Sequence, residues 1–161
     1  MNVLDFALQM ELDNKAHYEK LKAETPIDGL KKIFSILAAE ELMHYNVVKA
    51  VKTGMAAELA DSDILENVKN IFQDLQVDQG LLDELRTRLD GYHHAMKIEA
   101  ESIRFYEEIA LKERNPTVIQ LLLRIVAEEK KHYTIVGNIH ELIAGYESFR
   151  ILHKFGKPME I

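Results

Sequence analysis

LAAEELMHY (residues 37–45) returns further along the chain as IVAEEKKHY (residues 125–133). The surroundings differ, but both copies keep Ala-Glu-Glu, two variable residues, then His-Tyr. A glutamate and a histidine three residues apart share one face of a helix. In the first copy that face also carries Leu37 and Val48 around Glu41 and His44; in the second it carries Ile125 and Val136 around Glu129 and His132. Each stretch therefore reads as a helix whose core-facing stripe includes a carboxylate and, one turn on, an imidazole.

The offset of 88 residues that relates these two helices also relates two others. ALQMELDNKAHYEKL (residues 7–21) overlays AMKIEAESIRFYEEI (residues 95–109), pairing Ala7 with Ala95, Glu11 with Glu99 and Tyr18 with Tyr106. Glu11 lies on the stripe of Leu4, Ala7 and Tyr18, and Glu99 on that of Tyr92, Ala95 and Tyr106. One offset joining four helices points to a duplicated helical hairpin. The hairpin prolines, Pro26 and Pro116, depart from it by two residues, so the loops have diverged.

Breakers and caps divide the chain accordingly. Helices are expected at about 2–24, capped by Asn2, and at about 26–53, with Thr25 as cap, Pro26 in the first turn and Gly54 as stop. Residues 54–80 read as a crossover holding a short helix at 64–76, with Asp61 or Ser62 near its cap. A third long helix is expected at about 81–113, and a fourth, opened by Asn115 and Pro116 and stopped by Gly145, at about 117–144. The tail, residues 146–161, is mildly apolar. No alternating run suggests a sheet. The expected fold is all-α: one domain over residues 1–161, a four-helix bundle of two repeated hairpins (2–53 and 81–145) joined by one long crossover, the plan of ferritin-like folds.

Composition narrows the chemistry. The chain of 161 residues is 47% hydrophobic and 29% charged, with 7 Gly and 3 Pro, which suits one helical domain. It has no cysteine, which excludes disulfides, thiolate metal sites and thiol nucleophiles. A net charge of −7 argues against nucleic acid or an anionic membrane as partner. The first residues lack a signal-peptide pattern, and no run reaches the about 18 apolar residues of a membrane span. A cytoplasmic location is expected. Four carboxylates turned toward one bundle axis would repel one another and lose hydration worth several kcal/mol each. Two divalent cations would balance four negative charges, with two neutral imidazoles completing the ligation, a donor set suited to iron or manganese.

On these residues the chain resembles the rubrerythrin branch of the ferritin-like di-iron proteins over nearly its whole length outside the crossover and tail. The resemblance implies that Glu11 and Glu99 are terminal ligands, Glu41 and Glu129 bridging ligands, and His44 and His132 the histidine ligands of two iron ions. It implies that Tyr18 and Tyr106 hydrogen-bond ligand carboxylates. It further implies a peroxidase acting on hydrogen peroxide or dioxygen in oxidative stress, drawing on an external electron donor such as a rubredoxin-like protein. Two features depart from the family pattern. Ser102, with Asn14 as its repeat mate, stands where rubrerythrins have an extra glutamate, and there is no cysteine-bound rubredoxin iron.

Other readings use the same residues. The centre could oxidise ferrous ions for storage or detoxification, which would need a hollow multimer rather than the expected homodimer. It could be a structural or oxidant-sensing metal pair, or a dimanganese catalase. The 27-residue connection would even allow two chains to exchange hairpins. A single Glu-x-x-His would say little, since such pairs often sit on solvated faces; the weight comes from two copies plus two register-matched glutamates. His17, His93, His94, His140 and His153 have no mates at the repeat offset and read as surface or packing residues. Glu40 and Glu128 are expected beside the ligands, facing partly away. Lys130 and Lys131 are expected on the solvated face of their helix.

Overall fold

A computed structural model describes residues 2–144. Six helices follow in order: α1 Val3–Glu24, α2 Asp28–Thr53, α3 Ile64–Gln73, α4 Gln79–Arg86, α5 Leu89–Lys112 and α6 Pro116–Ala144. No strand occurs among the described residues. α1 packs along α2 and α5 along α6, giving the two hairpins; α1 meets α5 and α2 meets α6 where the hairpins join. The crossover lays α3 against α2 and α6, and α4 against α6. This is the ferritin-like bundle expected from the repeat.

Several helix ends sit where local chemistry puts them. The Asn2 side chain accepts from the Leu4 amide at 2.7 Å, and the Asn115 side chain from the Thr117 amide at 2.9 Å. Gly54 closes α2 with φ 72°, a left-handed conformation that costs glycine little. Ser62 takes the Ile64 amide on its hydroxyl at 3.0 Å, marking the start of α3.

Other boundaries differ from the sequence expectation. α2 starts at Asp28, so Pro26 lies outside it. The buried Thr25 uses its hydroxyl to accept the Ile27 amide at 3.3 Å, holding the link extended for two further residues. α3 stops at Gln73, three residues early. The expected third helix is two, α4 and α5, and it begins at Gln79 rather than 81. At the break the Thr87 hydroxyl donates to the Glu84 carbonyl at 2.6 Å, and tight i to i−3 bonds close α4. Leu82, Leu85, Leu89 and Tyr92 keep helical spacing across that break, so apolar periodicity gave no sign of it. Gly145, the tail and His153 lie outside the described residues.

The apolar core is two clusters with a polar layer between them. One joins Tyr18, Leu21, Phe34, Leu37, Tyr92, Ala95, Ile135 and Ile139 with Val68 and Phe72 of α3. The other joins Ala7, Val47, Val48, Ile103, Tyr106, Leu122 and Ile125. Along each of α1, α2, α5 and α6, one cluster's residues precede the functional carboxylate and the other's follow it. At about 1.5–3 kcal/mol per large apolar side chain, the two clusters hold the layer in place and keep water from both ends.

Candidate metal centre

Glu11, Glu41, His44, Glu99, Glu129 and His132 all lie in that layer, none more than 1% exposed. They form two overlapping sets. Donor atoms of Glu11, Glu41, His44 and Glu129 lie within 4.8 Å of one another, as do those of Glu41, Glu99, Glu129 and His132. Glu41 and Glu129 belong to both sets, while each set has its own glutamate and its own histidine. All six residues come from one chain, so no exchange of hairpins is needed to bring them together.

The repeat appears in space as an approximate two-fold axis. The Tyr18 hydroxyl donates to Glu99 Oε1 at 2.5 Å, and its mate Tyr106 donates to Glu11 Oε2 at 2.7 Å. His132 Nδ1 lies 2.9 Å from Glu41 Oε1, and His44 Nδ1 lies 2.6 Å from Glu129 Oε1. The two imidazoles stack with centroids 5.5 Å apart. Asn14 and Ser102, repeat mates, meet each other: the Asn14 amide donates to the Ser102 hydroxyl at 2.9 Å, both buried. A neutral, hydrogen-bonded pair thus stands at Ser102, where the resemblance expects a further glutamate, and at its mate Asn14.

Burial dominates the electrostatics. It raises the carboxyls of Glu41 and Glu129 well above 4.5, helped by the charges of their neighbours. It carries Glu11 to about 7 against the hydrogen bonds it shares with Glu41 and Tyr106. For Glu99 burial is again the largest effect, but the His132 charge and the hydrogen bonds from His132, Glu129 and Tyr18 together outweigh it and hold this carboxyl below its ordinary value. Burial, then the His132 charge, depresses His44 to about 3. For His132 burial is overcome by Glu99, Glu40 and Glu129, and its pKa rises well above 6.5. Burial and the facing carboxylates push both tyrosines well above 10, so they stay protonated donors. The bare chain thus balances its charges with protons.

With its carboxyl groups ionised, as metal binding requires, the layer is left unsatisfied. Six of its buried atoms lack a hydrogen-bond partner: Glu11 Oε1, Glu41 Oε2, Glu99 Oε2, both Glu129 oxygens and His44 Nδ1. The short His44–Glu129 contact does not help, because that oxygen lies off the ring nitrogen's hydrogen-bonding direction. Orphaned carboxylate oxygens and an imidazole nitrogen, all facing one layer, are what a pair of divalent cations would satisfy. Glu40, His44 and His132 make a third close set. Both rings, however, turn Nδ1 to the four carboxylates. A neutral imidazole ligating through Nδ1 has its proton on Nε2, which leaves no lone pair for a third ion.

The neighbours differ from expectation on one side. Glu128 is 1% exposed and grips Arg124 at 2.6 Å, Lys131 at 2.7 Å and the Ser62 amide at 3.1 Å. Lys131 is therefore not on the solvated face: it pairs with Glu128 and Asp61 and donates to the Ser62 carbonyl at 2.9 Å. Lys130 is exposed as expected. Glu40 is within 2.8 Å of His132 Nε2 and accepts from the Ser62 hydroxyl at 3.0 Å. Ser62 was legible only as a helix cap, because nothing in its local sequence ties it to residues 40 and 128. Of the other histidines, His17 Nε2 lies 2.9 Å from the Gly91 carbonyl with His94 edge-on, and His93 sits beside His140. None of these four joins the centre.

A ferritin-like bundle with two overlapping Glu/His sets in its core defines the dinuclear carboxylate class. The chain belongs to the rubrerythrin family, whose model matches residues 2–139. Members of that family bind di-iron centres. No curated protein and no solved structure matches the chain.

Proposed function

We propose that this protein is a di-iron peroxidase that reduces hydrogen peroxide with electrons from an external donor. The observation carrying the reading is the pair of overlapping buried sets that share Glu41 and Glu129. Glu11 and His44 would hold one iron, Glu99 and His132 the other, and Glu41 and Glu129 would span both. Two irons so held supply one-electron redox chemistry at each of two adjacent metals. Manganese suits the same donor set.

The remaining work falls to the chain. Tyr18 and Tyr106 fix the orientation of Glu99 and Glu11 by donating to one oxygen of each and leaving the other oxygen unbonded. The apolar clusters at either end exclude bulk water, which strengthens every charge interaction in the layer. The net reaction, H2O2 with two electrons and two protons giving two H2O, needs a reductant. With no cysteine in this sequence to bind a thiolate-held iron, a rubredoxin-like protein is the donor we assign to supply the electrons.

Anaerobic reconstitution with ferrous ion tests the reading. About two irons per chain should bind, with near-ultraviolet iron bands that bleach on reduction and return with peroxide. Glu41→Ala, which removes a donor common to both sets, should lose paired binding and bands together. Bands that peroxide does not restore in the reduced protein would rule out the peroxidase.

A further inference from the structure

The repeat implies that both histidines should be backed alike, and at one place they are not. His132 presents Nδ1 to the carboxylates and Nε2 to Glu40 Oε1 at 2.8 Å. The mate of that contact would be Glu128 behind His44. Glu128 is instead held by Arg124, Lys131 and the Ser62 amide. The positions matching those two cations in the first hairpin are Ile36 and Met43, which offer Glu40 no charge. Ser62 gives its hydroxyl to Glu40 Oε2, leaving Oε1 for His132. Glu40 also has an oxygen within 4.8 Å of a His44 nitrogen, but no hydrogen bond joins them among the described residues.

We propose that Glu40 is a positioning residue that makes the two metal positions unequal, so that the Glu99/His132 position fills before the Glu11/His44 position. The inference rests on the dinuclear reading above. A carboxylate on the outer N–H of a ligating histidine fixes its tautomer and ring angle and makes the inner nitrogen a better donor, and its loss costs about 10–100-fold in metal affinity. His132 has that support and His44 does not. A duplicated hairpin thus carries two matched donor sets with one-sided support, supplied by Glu40 and anchored by the crossover through Ser62.

Manganous ion, titrated into the metal-free chain and followed by calorimetry and electron paramagnetic resonance, tests this. The first ion should bind at least about tenfold more tightly than the second. At one equivalent isolated ions should predominate, with spin-coupled pairs growing in mainly during the second equivalent. Glu40→Gln keeps the shape of a half-buried side chain; it should weaken the first step by about 10–100-fold and bring coupled pairs forward to the start. Combined with His44→Ala, Glu40→Gln should weaken the one remaining step by the same factor. Combined with His132→Ala it should change that step less than about twofold, a dependence on one histidine that a general structural role would not produce. Equal first and second steps in the unaltered chain, or a Glu40→Gln variant that weakens both alike, would overturn the inequality and leave the dinuclear centre standing. No uptake of manganous or ferrous ion at all would overturn both.

Discussion

Tyr18 and Tyr106 show how a single side chain acts on the centre. Each crosses from its own hairpin to a glutamate of the other, Tyr18 to Glu99 and Tyr106 to Glu11. Replacing either with phenylalanine keeps the ring and strands one buried carboxylate oxygen. Tyr18→Phe or Tyr106→Phe should lower metal affinity by about tenfold or more, read by competition with a chelator. Each should also destabilise the bare chain by about 1–3 kcal/mol in denaturant unfolding. The six Glu and His positions and both tyrosines were legible because each lies on an apolar stripe and each has a mate at the repeat offset. Asn14 and Ser102 were legible as a departure, but not as partners, since their contact runs between hairpins. Glu40 and Glu128 share a repeat position, but Glu128 has Arg124 and Lys131 one turn away on its own helix where Glu40 has Ile36 and Met43; only the fold shows that Ser62 and His132 then take up Glu40.

At the level of helices and links, termini with a strong local signal came out as read. Gly54 is such a case, and a Cβ there would meet nothing within 4 Å. Gly54→Ala should therefore destabilise by about 1 kcal/mol through its left-handed φ alone, measurable as a shift in thermal midpoint. The crossover was legible as a long connection but not in its path. Its leading segment is pinned to α6 through Asp61, Ser62, Arg124, Glu128 and Lys131. Lys131→Met, the residue found at the matching Met43, removes one of the two cations on buried Glu128. It should destabilise by about 1–3 kcal/mol and raise amide exchange at residues 61–63. The split between α4 and α5 escaped the sequence because a hydroxyl-to-carbonyl bond at Thr87 made it, with the apolar spacing intact.

For the molecule as a whole, the polar layer sets how stability responds to pH and metal. Glu11, raised to about 7, is neutral at low pH and folds without penalty; as pH climbs from 4.5 through 7 it must ionise in the core, and the metal-free protein loses about 3 kcal/mol. Glu41 and Glu129 act in the same direction. The His132 contribution, with its pKa raised, is also lost as pH rises. His44 opposes them: depressed to about 3, its contribution is complete above 6.5 and lost as pH falls. The metal-free chain should thus lose stability from pH 5.5 to 8, whereas metal, which needs ionised carboxylates and neutral imidazoles, binds better over the same range. The gap in thermal midpoint between loaded and metal-free protein should widen with pH in differential scanning calorimetry. A constant gap would contradict the charge balance described here. No described helix is long and apolar enough to cross a membrane.

The sequence by itself determined the duplicated hairpin, the four core-facing stripes and the carboxylate or carboxylate–imidazole set on each. Helical periodicity and a fixed offset are properties of neighbours along one chain. The tertiary structure decided which glutamate each tyrosine reaches, that Asn14 meets Ser102, and that the crossover clamps Glu128 while freeing Glu40 for His132. Those contacts join residues more than 60 positions apart, and packing distance and desolvation, rather than local pattern, select them.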